Sequence, residues 1–233
     1  MTSKRLLLVV ALLLVVGGGV AAFLYVRGDA PEEVGLSTTA PESSGSFDGN
    51  FNGTWTIDTD SGSLEDGTST FAGYRINEEF VGIGTNTAVG RTRDVSGELT
   101  IDGTSINTVS VEVDMTTLRS DRDMRDSTLR RRGLESETYP TATFELTDAI
   151  ELGDVPETGQ TIEETATGEL TIHGVTKQVE IPIEAKWTGE MIEIAASSDV
   201  TLADYEIEPP TTARVRSIAD TGSLELHLLF TKA

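Results

Sequence analysis

The side chains best placed to hold a ligand's charge lie in one polar stretch. Residues 120–132 read Ser-Asp-Arg-Asp-Met-Arg-Asp-Ser-Thr-Leu-Arg-Arg-Arg, the one concentrated basic patch in a chain with 17 Lys and Arg against 39 Asp and Glu. A guanidinium offers an oxyanion a rigid fork of donors, so Arg122, Arg125 and Arg130 could hold a polar or phosphorylated headgroup. Asp121, Asp123 and Asp126 interleave with them, and plain surface ion pairs are the competing reading.

No other chemistry has a comparable signature. His173 and His227 are the two histidines, and neither sits at a His-x-x-x-His or His–acid spacing. They read as structural residues rather than as metal ligands or bases. Acids are abundant, yet no pair stands out for acid–base work, and no serine lies in a Gly-x-Ser-x-Gly context. Gly82-Ile83-Gly84 leads into a strand-like stretch rather than a helix, so it is no phosphate loop. The absence of Cys excludes thiol nucleophiles, disulfides and Cys-bound zinc. The expected inventory is no catalytic residue, no metal and no cofactor.

The 233 residues are 37% hydrophobic and 24% charged, enough for a sizeable core. The formal charge of -22 repels nucleic acid and anionic headgroups and reads as a solvated acidic surface, so no nucleic-acid partner is expected. Leu6 to Val26 holds no charged residue. As a helix rising about 1.5 Å per residue it would cross a hydrocarbon core of roughly 30 Å. Lys4 and Arg5 precede it, while Asp29, Glu32 and Glu33 follow. The positive-inside rule then puts residues 1–5 in the cytoplasm and everything after Val26 outside. A cleaved signal peptide is the rival, but its apolar region is usually shorter, about 7–15 residues. The expectation is a transmembrane signal-anchor over 6–26. A flexible linker over 27–52, rich in Gly, Ser and Pro, would then hold a domain over 53–233 off the membrane surface. Asn52-Gly53-Thr54 matches a glycosylation sequon, a pattern common by chance.

Over 53–233 apolar residues recur at every second position. They do so at Trp55 and Ile57, Tyr74 and Ile76, Leu99 and Ile101, and Val109 to Met115. The pattern returns at Ala142 to Leu146, Leu170 and Ile172, Val179 to Trp187, Ile192 to Ala196, and Leu224 to Phe230. Strands with one apolar and one wet face, in this number, build a sandwich or a closed barrel. Phe71 and Tyr74 fall on opposite parity, so Gly73 could mark a bulge. The arginine stretch breaks the rhythm as a short helix, capped by Ser120 or Asp121 and ended by Gly133. Ala166, Gly168, Ala196 and Ser198 fall on apolar parity, and such small side chains would leave space inside a barrel.

Three separated motifs carry a family likeness. Gly53-Thr54-Trp55-Thr56-Ile57-Asp58 resembles the opening strand of the YceI-like family. Arg125-Asp126-Ser127-Thr128-Leu129-Arg130, followed by Tyr139-Pro140-Thr141-Ala142-Thr143-Phe144, is similar to that family's R-D-x-x-L-R and Y-P-x-x-x-F block. Leu170 to Lys177, LTIHGVTK, resembles its hairpin. One departure is Gly133-Leu134-Glu135-Ser136, where the family often has a Phe-Phe-Asp type segment. The resemblance implies an all-β fold, a lipocalin-like antiparallel barrel of about eight strands with a short helix. It implies a cavity for isoprenoid or other long amphiphilic lipids and no enzyme. The expected ligand wall is Trp55, Phe71, Tyr74, Ile76, Val111, Val113, Phe144, Leu170 and Ile172, with ordinary core packing as the alternative for each. The expected partners are an isoprenoid-type lipid and the membrane, with a homodimer through the cavity mouth as a further possibility. A filled β-domain binding protein or glycan at its surface is the alternative function.

Overall fold

The alternating segments form antiparallel strands in the computed structural model, which describes residues 30–38, 50–82, 84–210, 212 and 214–233. In chain order these are β1 (Gly53–Ile57), β2 (Phe71–Phe80), β3 (Gly84–Thr92), β4 (Val95–Asp102), β5 (Ser105–Asp114) and β6 (Arg119–Ser120). After the helix α1 (Asp123–Arg131) come β7 (Thr141–Leu146), β8 (Ile150–Glu151), β9 (Thr161–Ile172), β10 (Val175–Trp187), β11 (Met191–Thr201), β12 (Val215–Ile218) and β13 (Thr221–Lys232). Eight of them close a ring in the order β1, β4, β5, β7, β9, β10, β11, β13. The ring closes where Trp55 and Ile57 of β1 stand opposite Lys232 and Phe230 of β13. The expected barrel with a short helix is what forms, and the sandwich is set aside.

β13 serves two neighbours. Its C-terminal part pairs β1, while Ser223–His227 pairs Arg75–Phe71 of β2. β2 therefore leaves the ring as the root of a wing that carries β3, β6 and β12. Gly73 marks no bulge, because the registers of β2 with β13 and with β3 run through it without a shift. Phe71 and Tyr74 consequently point to opposite faces, as their parity requires.

The ring is filled at one end. Trp55, Leu99, Ile101 and Phe230 are all but fully buried there. The rings of Phe51, Trp55 and Trp187 meet at 5.4–5.7 Å in tilted and edge-on pairs. The small residues expected to leave space do not make the hollow part. The space over Gly168, for instance, is taken by the Phe144 ring, which would stand 2.5 Å from a Cβ placed there.

The outer face of β11, β13 and β2 is a second buried layer. Glu193, Glu225, His227 and Leu229 are at most 1% exposed, although they alternate with the interior residues. Residues 58–70 cover part of this wall: Asp58 N donates to Leu229 O, and Thr70 Oγ1 accepts from Leu229 N at 3.0 Å. Part of the expected linker covers the rest. Arg75 Nη2 donates to Pro31 O and Glu32 O, Arg91 Nη2 donates to Glu32 O, and Ser37 N donates to Glu193 Oε1 at 2.5 Å. Residues 31–37 are thus a strap bound to the wall rather than a flexible linker, because buried charges on the barrel consume their backbone groups. Residues 27–29 and 39–49 of that segment, and the expected membrane anchor over 6–26, lie outside the described residues. Among the described residues no helix is long and apolar enough to cross a membrane.

Local geometry explains two turns. β9 and β10 are joined at His173 and Gly174, with φ of 53° and 76°. Positive φ at both central residues is the turn that matches strand twist, and it suits Gly at the second place. A Cβ on Gly174 would also stand 2.8 Å from Tyr139 Cε1. Gly174→Ala is expected to destabilise the domain by about 1–3 kcal/mol, read as a lowered Tm in thermal melts; an unchanged Tm would count against this account. α1 lacks the side-chain cap expected from Ser120 or Asp121. Its N-cap residue is Arg122, which makes no such bond, while Ser120 is engaged with Asp126 and Arg125.

Candidate functional site

The other half of the barrel is hollow. Between β2, β13, β5, β7 and β9, with α1 across it, lies a cavity with about 1150 Å³ of empty space, its open mouth included. The cavity volume proper, without the mouth and the narrow gaps between side chains, is about 140 Å³. Its walls are almost wholly apolar. Tyr74 and Ile76 come from β2, Val111 and Val113 from β5, Phe144 from β7, and Leu170 and Ile172 from β9. All seven were legible in the sequence as members of one apolar face.

Two expected wall residues are elsewhere. Trp55 belongs to the aromatic plug at the filled end, where its Nε1 donates to Phe51 O. Phe71 faces outward, stacked on His227 at 5.6 Å and lying beneath the Arg91 guanidinium. Conversely, sequence reasoning missed Leu129 on α1, Leu134 just after it, and Ile207, Pro209 and Pro210 in the loop before β12. These lie in segments without alternation, so no periodicity could mark them. Leu224 and Leu226 also line the cavity; their even parity was visible, but nothing local distinguished them from the filled end.

Tyr74 shapes the wall through a close approach. Its ring lies across Gly90 of β3, and a Cβ there would stand 2.4 Å from Tyr74 Cε1. Its hydroxyl is buried without a hydrogen-bond partner among the described residues. Burial pushes the phenol well above its ordinary value, only partly opposed by Arg125.

The three headgroup arginines separate. Arg125 lines the cavity, but every nitrogen of its guanidinium is engaged. Nε and Nη2 donate to the two oxygens of Glu78 at 3.1 and 2.9 Å, and Nη1 donates to Ser120 Oγ and Asp121. Burial alone would lower its pKa, yet Glu78 and Asp121 hold it above the usual range. For Asp121 burial works upward, but Arg125 and Arg122 outweigh it and bring the carboxyl below its ordinary value. Arg122 sits over the Phe80 ring at 5.4 Å and bonds Asp121, while Arg130 contributes nothing to the cavity wall. Arg75, also on the wall, turns to Glu225 and the strap.

The histidines are structural in their contacts. His227 places Nδ1 2.8 Å from Ser69 O and Nε2 2.9 Å from Glu193 Oε1. His173 places Nδ1 3.1 Å from Tyr205 O, with its ring against Tyr139. Among the described residues no group of three His, Asp or Glu could hold a metal ion.

Known proteins share this architecture. The family described as YceI-like domain matches residues 55–230. A UPF0312 protein of Vibrio parahaemolyticus is 31% identical over 162 residues, covering 66% of this chain and 79% of that protein. Protein YceI of Escherichia coli O157:H7 is 29% identical over 155 residues, covering 62% and 74%. A solved polyisoprenoid binding domain from Saccharophagus degradans, implicated in plant cell wall breakdown, superposes with a TM-score of 0.59 at 15% identity. The match covers 78% of this chain and 99% of that domain.

Proposed function

The chain belongs to the family of YceI-like domains, and from that premise we propose that it is a non-catalytic carrier of isoprenoid or similar long amphiphilic lipids. On this reading the lipid tail lies in the barrel cavity, and the domain is tethered outside the cytoplasmic membrane by the segment 6–26. The observation that carries the proposal is the cavity's almost wholly apolar wall, built from β2, β5, β7, β9 and β13, which suits an apolar tail. Each methylene withdrawn from water contributes about 0.8 kcal/mol, so a prenyl tail can bind tightly with few polar contacts. Tyr74, Ile76, Val111, Val113, Phe144, Leu170 and Ile172 would meet the tail.

The polar end favours an uncharged head over a phosphate. Arg125 is already matched by Glu78 and Asp121, and a further anion would have to displace one of them. Native mass spectrometry of residues 30–233, which retain the strap, tests the reading when no lipid or detergent is added. A stoichiometric extra mass that leaves as an extractable apolar molecule is expected. Bare protein that also fails to take up added geranylgeraniol would return the domain to the surface-interaction alternative.

A further inference from the structure

We propose that the α1 end of the barrel is a membrane-docking surface, seated on anionic phospholipid headgroups so that lipid passes between bilayer and cavity without crossing water. The inference rests on the tethered-carrier reading and adds to it where the membrane is met. Three observations carry it.

The first is the length of the leash. The apolar run ends at Val26, and the barrel already holds the chain at Pro31, whose carbonyl accepts from Arg75 at 2.8 Å. Five residue steps span at most about 18 Å. A tether running freely to residue 52 would let the barrel wander; this one pins it close to the bilayer. The pinned point has a direction. The groove that residues 30–38 line is shared with Arg119, Ser120 and Asp121, just ahead of α1, and with Leu64–Thr68. The strap then runs toward Glu193 and Lys186, away from that end.

The second is where apolar side chains are left in water. Among the described residues three large ones are highly exposed: Val81 at 60%, Met124 at 73% and Val155 at 54%. Val81 tips the β2–β3 hairpin and Met124 stands on α1, and the two elements are joined by Arg122 over Phe80. Such side chains suit the boundary between headgroups and acyl chains. Val155 lies apart, in the loop whose Gly159 N donates to Trp187 O at the plugged end.

The third is charge. Arg131, Arg132 and Arg214 are exposed, and no ion pair occupies them among the described residues. Arg131 follows Met124 by two helical turns on the same stripe, and Arg214 O accepts from Val81 N at 3.0 Å. Exposed Asp123 and Glu137 stand near these arginines, so the attraction is that of a local three-arginine patch, set against a body whose net charge of -22 is repelled by an anionic leaflet.

The absence of Cys makes the test direct. Val81→Cys, Met124→Cys and Val155→Cys, each in the full chain, are labelled with a polarity-sensitive fluorophore and reconstituted in mixed phosphatidylcholine–phosphatidylglycerol vesicles. Labels at 81 and 124 are expected to be quenched by brominated lipid, and the label at 155 by aqueous iodide. Arg131→Glu with Arg132→Glu is expected to slow transfer of tritiated geranylgeraniol from donor vesicles, by roughly fivefold per charge. Labels at 81 and 124 that stay in water overturn the docking surface, even if the same sample binds geranylgeraniol, in which case the carrier reading survives. Quenched labels without geranylgeraniol binding leave the docking surface standing and remove the carrier. A chain that does not float with the vesicles overturns both the docking surface and the tether.

Discussion

Ala142→Trp is expected to abolish uptake of an isoprenoid lipid while leaving the barrel folded. Ala142 faces Val113 across β5 and β7, and both side chains line the cavity. An indole there occupies space that a lipid tail needs. If it displaces about five methylenes, at about 0.8 kcal/mol each, binding weakens by about 4 kcal/mol, or roughly a thousandfold. Filling an empty apolar space rather than crowding a packed one should leave Tm unchanged or raised. Binding of tritiated geranylgeraniol and a thermal melt on one preparation check both halves. A variant that melts normally and still binds at full strength would move the site out of the barrel. The same substitution at the plugged end would be uninformative, because that half is already packed.

The largest effect on stability is expected at Glu193. Its carboxylate, with no exposed surface, accepts from Ser37 N and faces His227 Nε2 at 2.9 Å, while Lys186 Nζ stands 2.9 Å from its other oxygen. Burial works to raise its pKa, but the bonds from His227, Ser37 and Lys186 outweigh that and bring it from 4.5 to about 2. Glu193→Ala leaves Ser37 N and His227 Nε2 without this acceptor and strips Lys186 of its counter-ion, although Lys186 still donates to Ser37 O. Breaking a buried pair in this way costs about 3–5 kcal/mol, so Tm should fall by about 10 °C. The unmodified protein carries the same information in its pH profile. A carboxyl whose folded-state pKa lies below its unfolded one keeps its full contribution above the unfolded value, here 4.5. It loses that contribution as pH falls toward about 2, by about 3 kcal/mol in all. Urea melts between neutral pH and pH 2 should show a loss in that window larger by about 3 kcal/mol in the native chain than in the variant, which keeps only the share of the other paired carboxylates such as Asp121. A native profile that is flat through the window would deny Glu193 this role.

What the sequence made legible was the interior. Val179 to Trp187 alternate cleanly, and Leu224 to Phe230 do so but for Leu229, because each strand meets apolar partners on one side whichever neighbour it pairs. Hollow and filled halves could not be told apart the same way. Trp55 and Val111 carry the same signal, yet one plugs the barrel and the other lines the cavity. The outer wall was misread for a different reason. Glu193, Glu225 and His227 occupy the polar positions of the alternation, which normally means water. They are buried because Arg75, Arg91, Lys186 and the strap reach them from far along the chain. Such pairings leave no local trace. The strap itself has the composition of a linker, and what orders it is backbone bonding to those charges rather than any property of its side chains.

The seam between β1 and β13 bears on the kinetics of folding. It joins the first and last strands of the barrel, so the ring cannot close until nearly the whole domain has been brought together. Closing so long a loop is an entropic barrier that local hairpins do not face, and folds dominated by distant pairings are correspondingly slow. Until that step β1 offers a free edge on the side that β13 will take, open to pairing with another chain. Because β13 also roots β2, the same event sets the wing against the ring. The apolar cavity is therefore among the last features to exist during folding.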